Sequence, residues 1–237
     1  MKKLIIVIFL LVGLVPTIYS QTSTSLSFGV PKIFWDYSGN IDGLRTVNRN
    51  GWSINLSHEK LNEKGLILGM ELGVNKYTNR FQFGRVSYGI KEIHHFSILP
   101  FIGFRHLIKG SRIGVKGKMA FGIGWNNQDN LEYLDDHAFQ ASRTAYNEPL
   151  YDITFSGTQT VNHRIFPILK PNLELHYAVG KSSSIFIRGV LGFTFIKDVI
   201  ERDFPEVIYE GETYHANHTT SLSYSSLELG YSIRWRN

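Results

Sequence analysis

The chain has 237 residues, a formal net charge of +5 and no cysteine, so it has no disulfide framework and no cysteine for lipid attachment. Leaving out Lys2 and Lys3 lowers the charge to +3, too mild a surplus to suggest a nucleic-acid partner, and none is expected. The distribution of charge says more than the total. Segments 127–162 and 199–219 together hold eleven acids against two bases, a net of −9, which leaves the rest of the mature chain at about +12.

In chain order, the first element reads as a targeting segment. Met1, Lys2 and Lys3 form a positive start, Leu4 to Val15 an apolar run, and Pro16 a break before Ser20 and Gln21. This layout predicts a cleaved signal peptide over 1–20 and a mature domain over 21–237. The apolar run falls short of the ~20 residues a spanning helix needs. No later segment reaches that length either, so an exported chain of this kind spans a membrane only as a closed barrel, which pairs every backbone N–H and C=O without helices.

Beyond residue 21 the periodicity is that of strands. Eight segments alternate with period two: 23–36, 51–60, 66–77, 94–107, 113–126, 163–179, 185–198 and 220–236. In the third, Leu66, Leu68, Met70, Leu72 and Val74 share one face while Gly69, Glu71, Gly73 and Asn75 share the other. The first segment breaks this pattern, because Pro31 separates Leu26, Phe28 and Val30 from Ile33 and Trp35, which have the opposite parity. A bulge at Pro31 is expected to return Trp35 to the outer face. Throughout, the second face mixes small residues with isolated charges of both signs. That composition suits a narrow lumen in which Glu71, Glu174 and Glu228 pair with Arg105, Lys116, Lys118, Arg188 and Arg234.

Link lengths alternate. Links 61–65, 108–112 and 180–184 are tight and rich in turn residues; 37–50, 78–93, 127–162 and 199–219 are long. Short periplasmic turns and long outer loops are the rule for outer-membrane barrels. Trp35, Trp52 and Trp125 fall where strands meet long links, and Trp235 falls at the other end, as two interfacial aromatic girdles require. The expected fold is therefore all-β: an up-and-down antiparallel transmembrane β-barrel of eight strands.

On strand count, turn alternation and the closing strand Leu227-Glu228-Leu229-Gly230-Tyr231-Ser232-Ile233-Arg234-Trp235, the mature chain resembles the small OmpA/OmpX-type barrels of Gram-negative outer membranes. The resemblance implies outer-membrane localisation, lipid and lipopolysaccharide as surroundings, and a monomer. It also implies recognition of the last strand by the assembly machinery, although Arg236 and Asn237 follow the aromatic here.

Three candidate chemistries arise. His95-Phe96-Ser97 puts an imidazole and a hydroxyl on one strand face, similar to outer-membrane lipid A deacylases. Those enzymes continue with an Asn-Gly-type segment, where this chain has Ile98-Leu99-Pro100; an interior hydrogen bond is the expected fate of both side chains. His215 and His218 sit in an acidic loop and offer imidazoles to a transition metal, with His94, His137 and His163 placed at the same rim. The spacing is not specific and solvated loop histidines are the expectation, so no metal and no cofactor are expected. Finally, the acidic loops suit recognition of a cationic partner or bridging to anionic lipid through divalent ions. An eight-stranded lumen has room only for its own side chains, so general diffusion is excluded. The expected roles are adhesion, envelope integrity or surface recognition through the loops, with a lateral conduit for small hydrophobic molecules as the alternative.

Overall fold

In a computed structural model, residues 19–41, 44–83, 86–89, 92–133, 139–140, 152–209 and 211–235 are described. Residues 1–18, and with them most of the expected signal peptide, lie outside this set, as do His137, Arg236 and Asn237. Eight strands close into an antiparallel ring: β1 (Tyr19–Ile33), β3 (Leu44–Asn62), β4 (Leu66–Phe83), β6 (Ile93–Leu107), β7 (Ile113–Asn126), β11 (Ile165–Ala178), β12 (Ser183–Thr194) and β15 (Tyr224–Trp235). The ring is sealed by β1, which pairs with β3 on one side and with β15 on the other. Among the described residues no helix is long and apolar enough to cross a membrane.

The period-two pattern explains which way each face points. In β7, Lys116, Lys118, Ala120 and Gly124 are buried while Met119, Phe121, Ile123 and Trp125 are exposed. Around the ring, exposure reaches 63% at Leu173 and 67% at Leu229, and charged residues hold the protected side. A water-soluble sandwich has the opposite polarity. A continuous apolar outer surface of this kind has a physical rationale in lipid, not in water. Small residues on the inner face give the lumen its space. A Cβ built on Gly73 would lie 2.6 Å from Asn55 Oδ1 and 2.7 Å from Ser97 Oγ. The tight link after β3 is fixed by Asn62, whose carbonyl accepts from Gly65 N at 3.1 Å and whose Oδ1 accepts from Leu66 N at 2.8 Å. Gly65 supplies the left-handed φ of 89° that this turn requires.

The structure corrects the expectation at Pro31. The β1–β15 register runs without a shift from Thr22 to Ile33. Parity is therefore kept: Phe34 points out at 51% exposure, while Ile33 is buried and Trp35 packs against the interior cluster under the Arg202 guanidinium, 4.6 Å from its ring centroid. Proline fits here because the β1–β3 pairing ends at Gly29, so that at Pro31 the strand has a ladder partner on the β15 side alone. Trp35 is thus not part of an outward girdle. Trp52, Trp125 and Trp235 do face out, at 42%, 42% and 52% exposure.

The long links were expected to be loops; much of them is strand. Residues 44–50 and 78–83 lengthen β3 and β4, and β5 (Val86–Gly89) pairs with β4. A second sheet has the order β2 (Asp36–Gly39), β14 (Glu212–Thr220), β13 (Ile200–Tyr209), β10 (Asp152–Val161) and β8 (Leu131–Tyr133), with β9 (Phe139–Gln140) also on β10. Each of its five main strands continues a ring strand: β2 follows β1, β14 leads into β15, β13 follows β12, β10 leads into β11 and β8 follows β7. The outer sheet is therefore five of the eight wall strands carried upward past one break level. That level is stitched by Thr220 Oγ1 donating to Phe34 O at 2.7 Å and by Phe34 N donating to Ser223 O at 2.9 Å. Val199, Ile200 and Leu222 from this level join Tyr77, Ile93, Phe166 and Tyr224 in one buried cluster at the outer mouth.

Candidate functional site

Inward-facing positions on six strands bring charges together in the lumen, where they form two sets. In the lower set, Lys116 Nζ lies 2.6 Å from Glu59 and 3.3 Å from Glu174, and Lys118 Nζ lies 2.9 Å and 3.5 Å from the same two carboxylates. In the upper set, Lys170 Nζ is 2.5 Å from Glu71 Oε1, and Arg188 reaches Glu71 Oε2 at 2.6 Å. Arg188 also pairs closely with Glu228 and donates to Ser27 Oγ at 2.8 Å. Ser27 donates to Glu228 at 2.8 Å and Asn55 Nδ2 donates to it at 3.0 Å, while Lys170 also donates to Asn55 Oδ1 at 3.0 Å. Every one of these ions is 4% exposed or less. Their mutual attraction offsets the heavy cost of removing each from water, and in the upper set Ser27 and Asn55 add neutral donors to the Glu228 carboxylate.

Six of the eight expected lumen residues belong to these sets. The other two do not: Arg105 and Arg234 face inward but make no ion pair with a carboxylate among the described residues. Two members were missed, Glu59 and Lys170. Their signal was present, since Glu59 shares parity with Ser53, Asn55 and Ser57, and Lys170 with Asn172 and Glu174. The pattern was obscured because Glu59 lies between His58 and Lys60, as in a water-facing turn, and Lys170 precedes a proline.

His95 and Ser97 are both buried on the lumen face. His95 Nδ1 lies 3.3 Å from Tyr77 Oη, and its ring packs at 5.3 Å on Phe166. No hydrogen bond joins it to Ser97, whose Oγ has no partner among the described residues. The pair is not assembled as a base and nucleophile, and both side chains sit away from lipid. Likewise β14 alternates Ala216, His218 and Thr220 inward with His215 outward, so the two histidines are on opposite faces and cannot share an ion. No cluster of three metal-ligating side chains occurs among the described residues.

In the outer sheet, His218 packs edge-on to Tyr37 at 5.0 Å and to Phe204 at 6.1 Å. Arg202 on β13 is cross-strand to it and donates from Nε to Gln159 Oε1 at 2.9 Å. Burial first, and the Arg202 charge second, push the His218 imidazole down to about 4. The unfolded imidazole titrates near 6.5, so the unfolded chain takes up the proton first. Stability of the outer sheet should therefore fall as pH drops from about 6.5 to about 4, and be independent of this group above that window. An NMR titration of the His218 ring in micelles checks this; a midpoint at or above 6.5 would refute it.

A closed eight-strand ring with an apolar exterior and an ionic interior defines a small transmembrane β-barrel, and the fold is that of the outer-membrane barrels. The outer-membrane protein OprG from Pseudomonas aeruginosa superposes with a TM-score of 0.54 at 8% identity, covering 93% of this chain and 98% of OprG. Ail, the attachment invasion locus protein of Yersinia pestis, gives 0.44 at 12% identity, covering 92% and 99%, and the outer-membrane enzyme PagL gives 0.38 at 10%, covering 89% and 98%. No protein-family profile and no curated protein sequence matches.

Proposed function

We propose that this chain is a surface-recognition barrel of the outer membrane, in which an ion-filled lumen braces the wall and the outer sheet meets the partner. The observation that carries this reading is the second sheet. Long links that continue the wall as paired strands form a preorganised surface, and binding to it does not incur the cost of ordering loose loops. Its water-facing side chains include Asp36, Glu132, Asp203, Glu206 and Glu212, all exposed. That surface is suited to a cationic partner. In the lumen, the two ionic sets and the aromatic cluster above them act as a plug, and catalysis has no part in this reading.

Two measurements test it. The Asp203→Asn, Glu206→Gln, Glu212→Gln variant should bind a polycation such as polylysine at least about tenfold more weakly than the parent, with an unchanged folded barrel. Equal binding would sink the recognition role. In planar bilayers the parent should be electrically silent. Steady conductance would instead favour the conduit reading, which draws on the ladder gap beside Lys170 and Pro171 between β11 and β12. Replacing both His95 and Ser97 with Ala should leave the lipid A profile of the host unchanged.

A further inference from the structure

The described lumen side chains do not balance. Six cations (Arg105, Lys116, Lys118, Lys170, Arg188 and Arg234) face four carboxylates (Glu59, Glu71, Glu174 and Glu228). The upper set is neutral, with Lys170 and Arg188 against Glu71 and Glu228. The surplus of two positive charges lies wholly at the turn end, on Arg105 and Arg234. These two line a pocket that opens at that end, together with His176, Ser184 and Ser232.

Three features mark the pocket as built to receive an anion. Arg105 is only 8% exposed, yet its Nε has no acceptor, and it makes no ion pair among the described residues. A guanidinium held this way costs several kcal/mol unless something neutralises it. His176 is 2% exposed, and neither ring nitrogen has a hydrogen-bond partner. The pairing registers place these groups around one opening. Arg105 is opposite Lys116, whose Nζ is already committed to Glu59 and Glu174, and Ser184 is opposite Ser232 across β12 and β15. The wall thus presents two guanidinium forks, an imidazole and the Ser184 and Ser232 hydroxyls among others, while the one carboxylate in the lining, Glu59, is held by Lys116 and Lys118.

We propose that this mouth is a binding site for a phosphate-type oxyanion, taken from the periplasmic side. Guanidinium forks match the planar edge of such an ion better than a spherical halide, and Ser184 and Ser232 can donate to its remaining oxygens. The unoccupied space is about that of one water, so an oxyanion enters with one or two oxygens and leaves the rest of the molecule outside. Inorganic phosphate and the phosphate of an inner-leaflet lipid headgroup both offer this chemistry.

The experiment is calorimetric titration of inorganic phosphate into the full chain in zwitterionic micelles, against a background of sodium chloride at equal ionic strength. The parent should bind saturably. Arg105→Gln and Arg234→Gln should each weaken binding at least about tenfold, whereas Lys32→Gln, which removes an exposed charge on the outer wall, should leave it unchanged. Gel mobility with and without heating reports whether each variant is folded. Should Arg105→Gln fail to fold, Arg234→Gln, whose side chain is only half-buried, still decides the matter. Repeating the titration in nanodiscs containing phosphatidylglycerol separates the two sources. Lost phosphate binding there assigns the site to the lipid headgroup, and retained binding assigns it to the free ion. Absence of saturable binding in the parent, or parental affinity in both arginine variants, overturns the proposal.

Discussion

Replacing Glu71 with Ala should destabilise the folded barrel by about 3–5 kcal/mol in urea-induced unfolding from micelles. The reason is geometric. Glu71 holds Lys170 at 2.5 Å on one oxygen and Arg188 at 2.6 Å on the other, and all three side chains are nearly inaccessible to water. Truncation strands Lys170 with only the Asn55 amide oxygen, and leaves Arg188 to share Glu228. The penalty belongs to the abandoned cation rather than to the lost bond. The double variant Glu71→Leu, Lys170→Met should consequently recover most of the loss, because it removes one charge of each sign and fills similar volume. A single-variant loss under about 1 kcal/mol would mean that water reaches the lumen and that the ionic sets do not brace the wall.

Introducing Arg at Leu229 should cost about 2–4 kcal/mol in the same assay, whereas Arg at Ile208 should cost about 1 kcal/mol or less. Leu229 lies mid-strand on β15, between Phe28 and Ile187 on the flanking strands, and is 67% exposed. Ile208, at 38% exposure, is on β13 in the outer sheet. Both are exposed apolar residues on strands, so in a wholly aqueous protein the two substitutions would be comparably mild. A bilayer makes them differ, since only Leu229 faces hydrocarbon. Equal costs at the two positions would contradict a membrane-spanning ring.

The ring itself was legible because one face of every ring strand meets lipid and the other a crowded interior, a contrast that alternation records directly. The outer sheet was not legible for the same reason. On β13 and β14 the protected positions include Arg202 and His218, and the exposed ones include Asp203, Glu206 and Glu212. On β13 the apolar protected row of Ile200, Phe204 and Val207 is interrupted by Arg202 and by a register shift before Val207, and β14 protects His218 and Thr220, so the alternation is broken and the segments read as loops. Pro31 misled in another way. A proline in an alternating segment reads as a register break, yet it is tolerated at Pro31, where β1 is past its last β3 partner and keeps only the β15 ladder. Lumen membership was readable from parity, but pairing was not. Which carboxylate meets which cation depends on strand stagger, and that is set by the ring as a whole.

Closing the ring leaves no open strand edge at the level of the hydrocarbon, and moves the open margins of the architecture into water. Among the described residues β2 is flanked by β14 alone, so one side of Asp36–Gly39 offers N–H and C=O groups to the medium. The exposed segment is four residues long, begins with an acid and ends with a glycine, which makes it a poor template for another chain. Strand-to-strand association of this protein would therefore start at the cell surface rather than within the bilayer.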